Sequence, residues 1–508
     1  MSTRESARAK VAKGATWLAA ARFAVNGLGF LGSLILARVL VPADFGLVAL
    51  AMSFLAITNS ITDLSLSAAL ISHPAPVSAH YDTAWSLGLC RGLLVATAFA
   101  ALGWIVAPLF GDPRLVSVML ALSITIILSG LSNPRAIMLT KDLIFWQQFM
   151  LQVSQKIVGF VVSVAIALAY HSYWALVLGA LAGQFAGTIL SYAVLPYRPR
   201  LRFSGFSELF TFSSWMSLSA VINTFNWRLD HFLIGGYVGQ TALGYYAIGD
   251  TIAALPTRET AAPLVSTMFP ALSRLAHSPE RLSYAYIRAQ SLITAIALPA
   301  GVGMALIAEP LVHLVLGQKW THSILVVQAL GSVFAFQSMA VLAQPIAMAT
   351  NQTRLLFIRA LQGFLIRVPL VLFGLWYAGF AGVIYSRCIS GLIGIGQNMQ
   401  IVKAACNLTY RAQIAASARS VLSAAAMAAI VAITSRQIGQ SGETLELIIV
   451  IASMVLAGAS SYAFTHCMLW LAQGRPEGPE SEILSALSTL ASRIRQERRS
   501  FGWTGEQE

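Results

Sequence analysis

Apolar runs of about 20 residues recur along almost the whole chain, and a helix of that length spans the hydrocarbon core of a bilayer. Charged residues make up only 10% of the 508 residues, against about 25% in soluble domains. The sequence therefore predicts an all-α integral membrane protein with about fourteen transmembrane helices. The predicted spans are 15–38, 45–71, 83–109, 115–138, 147–169, 173–195, 208–236, 243–271, 288–308, 322–348, 355–376, 379–401, 418–435 and 445–471.

The connecting segments sort by charge. One set of alternating loops, with both termini, holds 21 Lys or Arg residues, and the other set holds only Arg38, Arg114, Lys319 and Arg436. By the positive-inside rule, both termini are predicted to be cytoplasmic. The net charge of +13 thus reflects topology. We predict no nucleic-acid partner, because no basic segment alternates with aromatic residues.

An internal repeat divides the chain. Residues 35–50 align with residues 233–248, which places Gly46 opposite Gly244 at an offset of 198 residues. This offset is six spans, so the halves keep one orientation and form parallel repeats about a pseudo-two-fold axis along the membrane normal.

The predicted organisation has six parts. The last of them is expected to be either an amphipathic helix on the inner leaflet or a solvated tail. The parts are a basic N-terminus (1–14), a first six-helix lobe (15–195), a basic inter-lobe loop (196–207), a second six-helix lobe (208–401), two C-terminal helices (418–471) and a cytoplasmic tail (472–508).

Eight cations lie inside the predicted spans. If all faced lipid, they would oppose insertion by something on the order of 20 kcal/mol. Only Asp63, Asp230, Asp250 and Glu259 lie at comparable depth, so the charges cannot all pair. This excess predicts a cationic, water-filled cavity suited to an anionic substrate. The eight cations are Arg22, Arg91, Lys156, Arg228, Arg258, Arg359, Arg367 and Arg387.

Depth divides these cations into groups. The deepest are expected either to contact substrate or to pair structurally with carboxylates or backbone carbonyls; they are Arg228, Arg258, Arg367 and Arg387. Arg22, Arg91 and Lys156 lie in the cytoplasmic half, where they either receive the substrate or snorkel to the interface. Arg359 is expected to snorkel.

The seventh predicted span (208–236) carries a polar stripe. Asn223, Asn226, Trp227 and Asp230 share one helical face, while Arg228 points roughly 140° away from it. The stripe is expected either to line the cavity, with Asn223 and Asn226 binding substrate, or to make interhelical hydrogen bonds alone.

Four acids are candidates for coupling transport to an ion gradient: Asp250, Glu259, Asp230 and Asp63. Asp250 and Glu259 lie in the eighth predicted span (243–271) with three prolines, which allow a membrane helix to bend. The alternative is a static ion pair, for example with Arg258.

Other residues predict packing rather than chemistry. Gly179, Gly183 and Gly187 form a ridge that lets a neighbouring helix approach closely. Aromatic residues near span ends are expected to be interfacial anchors; examples are Trp174, Tyr245, Tyr246 and Trp320. The four scattered cysteines favour packing roles, and neither a metal nor a cofactor is predicted.

Three segments make the chain similar to a known family: KGATWLAAARFAVNGLGFLGSLILARVLVPADFGLVALA (13–51), PRAIMLTKDLIFWQQFMLQVSQKIVGFVVSVAIALAYHSYWALVLG (134–179) and MFPALSRLAHSPERL (268–282). They resemble the Wzx-type polysaccharide flippases of the MOP superfamily, which also contains MATE exporters, and most nearly the ExoT/WzxC-like exopolysaccharide branch. The resemblance implies a MATE-like fold of two six-helix lobes plus two helices. It also implies movement of a polyprenyl-pyrophosphate-linked oligosaccharide from the cytoplasmic to the periplasmic leaflet by alternating access. A polymerase and a chain-length regulator of the same pathway are candidate partners.

Other functions remain open at this point. A lipid II flippase would share the fold and the anionic substrate. A MATE-type antiporter of cationic drugs would need an acidic cavity, and here the buried cations outnumber the acids. A membrane polymerase or ligase would need a large external loop, whereas the outer loops have about 5–13 residues by the predicted spans. We therefore predict a transporter and not an enzyme.

Overall fold

The structure, a computed structural model, describes residues 24–62, 77–141, 145–203, 214–437, 444–476 and 478–480. The chain divides into two compact units. Unit 1 consists of Met1–Ile252, Leu311–Val327 and Leu356–Ser390, and unit 2 of Ala253–Pro310, Gln328–Leu355 and Gly391–Glu508. Arg22, Asp63, the basic N-terminus and the predicted tail helix lie outside the described residues. The predicted lobe boundaries stay predictions.

The first half of the chain is helical between short turns. Its helices begin and end where the sequence places glycine, proline or polar residues, for example at Pro42 in the first turn of the second helix and at Gly111 (φ +65°) after the third. They are α1 (Ala24–Val39), α2 (Pro42–Thr62), α3 (Ser78–Leu109), α4 (Arg114–Gly130), the short α5 (Ala136–Lys141), α6 (Phe145–Tyr170) and α7 (Trp174–Val194).

The second half follows the same pattern. Helix α8 (Ser214–Leu233) continues into a π-helical turn, Ile234–Val238, and Gly239 (φ +108°) separates it from α9. The remaining helices are α9 (Gln240–Leu275), α10 (Pro279–Leu306), α11 (Ala308–Val315), α12 (Ser323–Gln337), α13 (Ala343–Ala349), α14 (Thr353–Cys406), α15 (Tyr410–Gln437) and α16 (Thr444–Ala472).

These helices confirm the membrane fold class. Among the described residues, nine helical segments are long and apolar enough to cross a bilayer, and α1 and α4 are shorter apolar helices. Helices α8 and α9 are not among the nine, because polar and charged residues interrupt their apolar surface. These two helices carry most of the predicted site.

Helix α14 contains two predicted spans without a loop between them. Its 54 residues would extend about 80 Å if straight, far more than one membrane crossing. The helical dihedrals break only at Ala378 and at Gly379, where φ is 56° and ψ is −129°. Only glycine adopts that conformation readily. The Ser386 hydroxyl donates to Leu370 O at 2.9 Å, so the two arms lie side by side as a hairpin.

The internal repeat is visible as a reciprocal contact in unit 1. A Cβ added to Gly46 in α2 would overlap the carbonyl of Gln240, and one added to Gly244 in α9 would overlap the carbonyl of Pro42. Both glycines and both carbonyl residues are 198 positions apart, so each repeat copy presents the same pair to the other. The aligned residues thus meet across a local two-fold axis.

A second contact in unit 1 joins α1 to the segment after α11. Lys319 Nζ donates to the carbonyls of Arg38 and Leu40 at 2.8 and 2.6 Å, while Arg38 donates back to Val315 O at 2.7 Å. Trp320 is fully buried and its indole donates to Ala37 O at 2.9 Å. The expectation that Trp320 is an interfacial anchor was wrong, because its only polar atom has a backbone partner inside the protein.

Unit 2 combines an apolar core with a buried polar seam. Leu298, Ala335 and Ala424 pack together. Beside this core, the Gln290 amide donates to Gln413 O at 2.9 Å and to the Ser417 hydroxyl at 3.0 Å. Such interhelical hydrogen bonds satisfy polar groups that lipid cannot, and they join α10 to α15.

Candidate functional site

Helix α8 holds the predicted polar stripe, and its members have different surroundings. Asp230 is completely buried, and the Asn226 amide donates to Ala360 O in α14 at 3.3 Å. Asn223 is exposed, and Trp227 keeps 52% of its surface exposed. The stripe therefore contacts other helices through Asn226 and Asp230 and leaves Asn223 and Trp227 accessible.

The centre of the site is the Asp230 carboxylate. Arg367 Nη2 lies 2.5 Å from Asp230 Oδ2, and Arg387 Nε lies 3.5 Å from the same oxygen. The Tyr246 hydroxyl donates to it at 2.5 Å. We call Asp230, Tyr246, Arg367 and Arg387 the Asp230 cluster. The glycine hairpin of α14 creates it, because Arg367 and Arg387 lie on opposite arms.

Burial makes this cluster energetically important. The arginine side chains are 7% and 6% exposed, and the aspartate side chain is 1% exposed. Breaking a buried ion pair by removing one partner costs about 3–5 kcal/mol, because the remaining charge is left uncompensated. Two guanidinium groups share one carboxylate here, so the cluster retains one positive charge.

Two further charges and an aromatic ring surround the cluster in unit 1. The Arg387 guanidinium stacks on the Trp227 ring, with Cζ 4.8 Å from its centroid. Asp250 interacts electrostatically with Arg387 and with Arg228, which is partly exposed. With Asp250 and Arg228 included, three guanidinium groups face two carboxylates. The structure thus brings together five of the predicted site residues.

The remaining residues predicted for unit 1 lie apart from the cluster. Arg91 Nη2 donates to the Thr62 hydroxyl at 2.9 Å and to Asn59 O at 3.3 Å, so its charge lies at the C-terminal end of α2, where helix carbonyls favour a cation. Lys156 lines a cavity between α1, α6 and α7.

Arg258 and Glu259 belong to unit 2. Both are in α9 between Pro256 and Pro263, where Arg258 is exposed and Glu259 is half-buried. The preceding residue, Thr257, is buried, so Arg258 lies on the accessible side of this helical turn. Their roles in substrate binding and coupling stay predictions.

Tyr246 and His231 are the neighbours that sequence reasoning missed. Tyr246 is 2% exposed, so its assignment as an interfacial anchor was wrong. His231 is also buried, with its ring 5.6 Å from that of Tyr246 in an edge-on arrangement. The repeat could have indicated that Tyr246 is buried, because at the offset of 198 it aligns with the apolar Val48. A hydroxyl that replaces an apolar core residue in one copy requires a buried partner.

The glycine ridge was predicted correctly. Added Cβ atoms on Gly179 and Gly183 would meet the carbonyls of Gly159 and Gln155 at 2.9 and 3.0 Å. The backbones of α6 and α7 therefore touch, as small residues in membrane helices allow.

Comparison with known proteins gives the chain a family context. A family model described as "Polysaccharide biosynthesis protein" matches residues 35–325. Lipopolysaccharide biosynthesis protein WzxC of Escherichia coli (strain K12) is 24% identical over 74% of this chain and 78% of its own length. Succinoglycan biosynthesis transport protein ExoT of Rhizobium meliloti (strain 1021) is 25% identical over 62% of this chain and 64% of its own.

A solved structure shows the same fold. The lipid II flippase MurJ, in an inward closed conformation, superposes with a TM-score of 0.71 and covers 90% of this chain and 99% of its own. Sequence identity is 16%, so this match bears on the fold alone. It agrees with the predicted helical membrane architecture.

Proposed function

Because this chain belongs to the polysaccharide biosynthesis protein family, and within it is a Wzx-type polysaccharide flippase of the MOP superfamily, we propose that it carries an anionic polyprenyl-pyrophosphate-linked oligosaccharide. The proposed direction is from the cytoplasmic to the periplasmic leaflet of the bacterial inner membrane. Both termini would be cytoplasmic, as the positive-inside count indicates. A polymerase of the same pathway would then receive the lipid-linked oligosaccharide.

One observation carries the proposal: unit 1 buries more guanidinium groups than carboxylates around Asp230. A pyrophosphate loses its hydration in hydrocarbon, at a prohibitive cost. Guanidinium groups replace that hydration with fixed, often bidentate donors. A cationic drug would meet charge of its own sign, so this site argues against multidrug antiport.

The solvent exposure of the site residues suggests a different role for each. Arg228 is partly accessible, and we propose that it contacts the anionic group directly, with Asn223 and Asn226 beside it. The half-exposed ring of Trp227 offers a face on which a sugar can stack. Arg367 and Arg387 would supply charge from behind this surface, and Asp230 would limit the net charge that the fold must bury.

Transport is proposed without a catalytic step of the protein's own. ExoT is a transport protein by name, and MurJ is a flippase. We propose that Asp250 and Glu259 couple movement to an ion gradient, while Asp230 serves as counter-ion to the arginines. Arg22, Arg91 and Arg258 are proposed to guide the anionic headgroup at other depths, and Asp63 to be a counter-ion in the first half. Lipid II remains the alternative cargo.

Export in cells tests the proposal. The wild-type gene should restore surface polysaccharide to a strain lacking its own flippase of this type, and Arg228→Gln should reduce export at least tenfold at equal membrane level. Arg354→Gln, which removes an exposed cation at the start of α14, is the matched control and should export normally. Normal export by Arg228→Gln would contradict the direct contact. Rescue of a lipid II flippase defect, without polysaccharide export, would reassign the cargo.

A further inference from the structure

A cavity of about 470 Å³ lies inside the first half of unit 1, between α1, α6 and α7. This volume is within the range of small-molecule sites, about 300–1,000 Å³. Glycines of α1 and α7 are among its lining residues, together with Phe160. The cavity can hold a charged group with one sugar ring but not a whole lipid-linked repeat.

The polar lining of this cavity is cationic and amide-rich. It contains Lys156, Gln152, Gln155, Gln184 and Ser163. The Gln155 amide nitrogen lies 3.3 Å from Gln184 Oε1, which leaves the Gln184 amide nitrogen as a donor. No acidic residue is in this lining, so the described walls offer one full positive charge and several donors without a carboxylate.

Lys156 is held deep in the membrane helix. It is 11 residues after the first residue of α6, or about 16 Å along the helix axis. A Cβ added to Gly29 of α1 would lie 3.2 Å from Lys156 Nζ. The ammonium group therefore reaches from α6 to α1 and packs closely against a glycine there.

The repeat explains why this cation differs from those of the second half. Three residues before the aligned segments, Gly32 occupies the position that Asp230 occupies 198 residues later. Gly32 lines the cavity, whereas Asp230 pairs with both Arg367 and Arg387. The second half thus supplies its own carboxylate at the position where the first half has a glycine in the wall of the cavity that contains Lys156.

We infer that the cavity at Lys156 binds an oxyanion, either a phosphate or a sugar carboxylate, in the place where the second half carries the Asp230 carboxylate. A lysine is a strong point charge for phosphate or carboxylate, and the glutamine amides donate to the remaining oxygens. Assignment of the oxyanion to the cargo rests on the proposed function. The binding site itself does not.

Anion binding to the purified full-length protein tests the inference. The melting temperature in lipid nanodiscs is followed at constant ionic strength while pyrophosphate or glucuronate replaces chloride, since a ligand of the folded state raises it by mass action. The wild type should be stabilised by at least one of the two. Stabilisation by pyrophosphate alone would assign the site to the phosphates, and stabilisation by glucuronate alone to a sugar acid. Stabilisation by neither would overturn the inference.

Substitutions locate the site. Lys156→Gln should raise the dissociation constant about tenfold or more, and Lys156→Arg should keep it within a few-fold. Gly32→Asp should abolish binding by supplying an internal carboxylate, while Gly32→Asn, of equal size, should retain it. Lys403→Gln, which changes a lysine stacked on Tyr410 in unit 2, is the control. Equal affinity in the wild type, Lys156→Gln and Gly32→Asp would refute the assignment.

The export assay separates this inference from the proposed function. If the wild-type protein exports polysaccharide but binds neither anion, only the oxyanion site fails. If it binds pyrophosphate through Lys156 but exports nothing, the site stands and the cargo assignment fails.

Discussion

The Asp230 cluster gives the sharpest prediction, because it separates a structural role of Arg367 from substrate contact. The perturbation is a double-mutant cycle with Asp230→Asn, Arg367→Gln and the combined variant. Asp230→Asn leaves two guanidinium groups, at most 7% exposed, without a carboxylate, which should cost about 3–5 kcal/mol of the free energy of unfolding. The assay is unfolding by increasing dodecyl sulfate in mixed micelles.

Arg367→Gln should cost less than Asp230→Asn. The carboxylate would still have Arg387 Nε at 3.5 Å and the Tyr246 hydroxyl at 2.5 Å, so we expect a loss of about 1–3 kcal/mol. The combined variant should be more stable than the sum of the single effects predicts, by about 1–3 kcal/mol. That difference measures the coupling inside the cluster.

A partly exposed ion pair provides the control cycle. Asp112, just before α4, pairs at 2.7 Å with Arg114, the first residue of α4; the Asp112 side chain is 11% exposed and the Arg114 side chain is 44% exposed. Asp112→Asn retains the side-chain oxygen that accepts from the Arg114 backbone amide. The coupling there should be about 0.2–1 kcal/mol and should fall with salt. A coupling at Asp230 no larger than this, or an Asp230→Asn variant within about 1 kcal/mol of wild type, would refute the reasoning.

Export by the combined variant then decides the role of Arg367. If Arg367 only neutralises Asp230, export per folded molecule should be the same in the combined variant as in Asp230→Asn. If Arg367 also contacts the substrate, export per folded molecule should be lower in the combined variant than in Asp230→Asn. The burial of both arginines leads us to expect equal export.

The closely packed repeat contact and the proposed coupling acids give two further predictions. Gly46→Ala should prevent the two copies from meeting and lower the folded yield severalfold in fluorescence-detected gel filtration, whereas Gly303→Ala, which has open space for a Cβ, should behave as wild type; equal yields would disprove the contact. Asp250→Asn and Glu259→Gln should make transport in proteoliposomes insensitive to an imposed proton or sodium gradient, and an unchanged response to both gradients would reject these acids as the coupling site.

Much of the architecture could be predicted from local composition. Runs of apolar residues give the spans because lipid offers no partner for backbone groups, so each crossing segment must be helical. The break at Gly379 and the packing ridge at Gly179 could likewise be predicted from the local sequence. The repeat was detectable because Gly46 and Gly244 meet one another, and neither can change without a collision.

The partners of the buried charges were not predictable in this way. From the sequence, each deep arginine could either contact substrate or pair structurally. Arg367 and Arg387 pair with a carboxylate only because the α14 hairpin brings both arms beside Asp230. Tyr246 and Trp320 look like interfacial residues by position along the chain. They are buried, and their polar atoms have partners inside the protein: Asp230 on the preceding helix for Tyr246, and the backbone of Ala37 in α1 for Trp320.

The sequence by itself determined that this chain spans a membrane many times, that its halves repeat, and that more cations than acids lie at bilayer depth. These properties depend on composition and spacing. Apolar segments enter the lipid, and they must be helical there because an unsatisfied backbone group costs too much free energy. Only the tertiary structure decided which cations are neutralised and which border open space. Charge compensation depends on distances of a few ångströms between residues more than a hundred positions apart, and helix packing alone sets those distances.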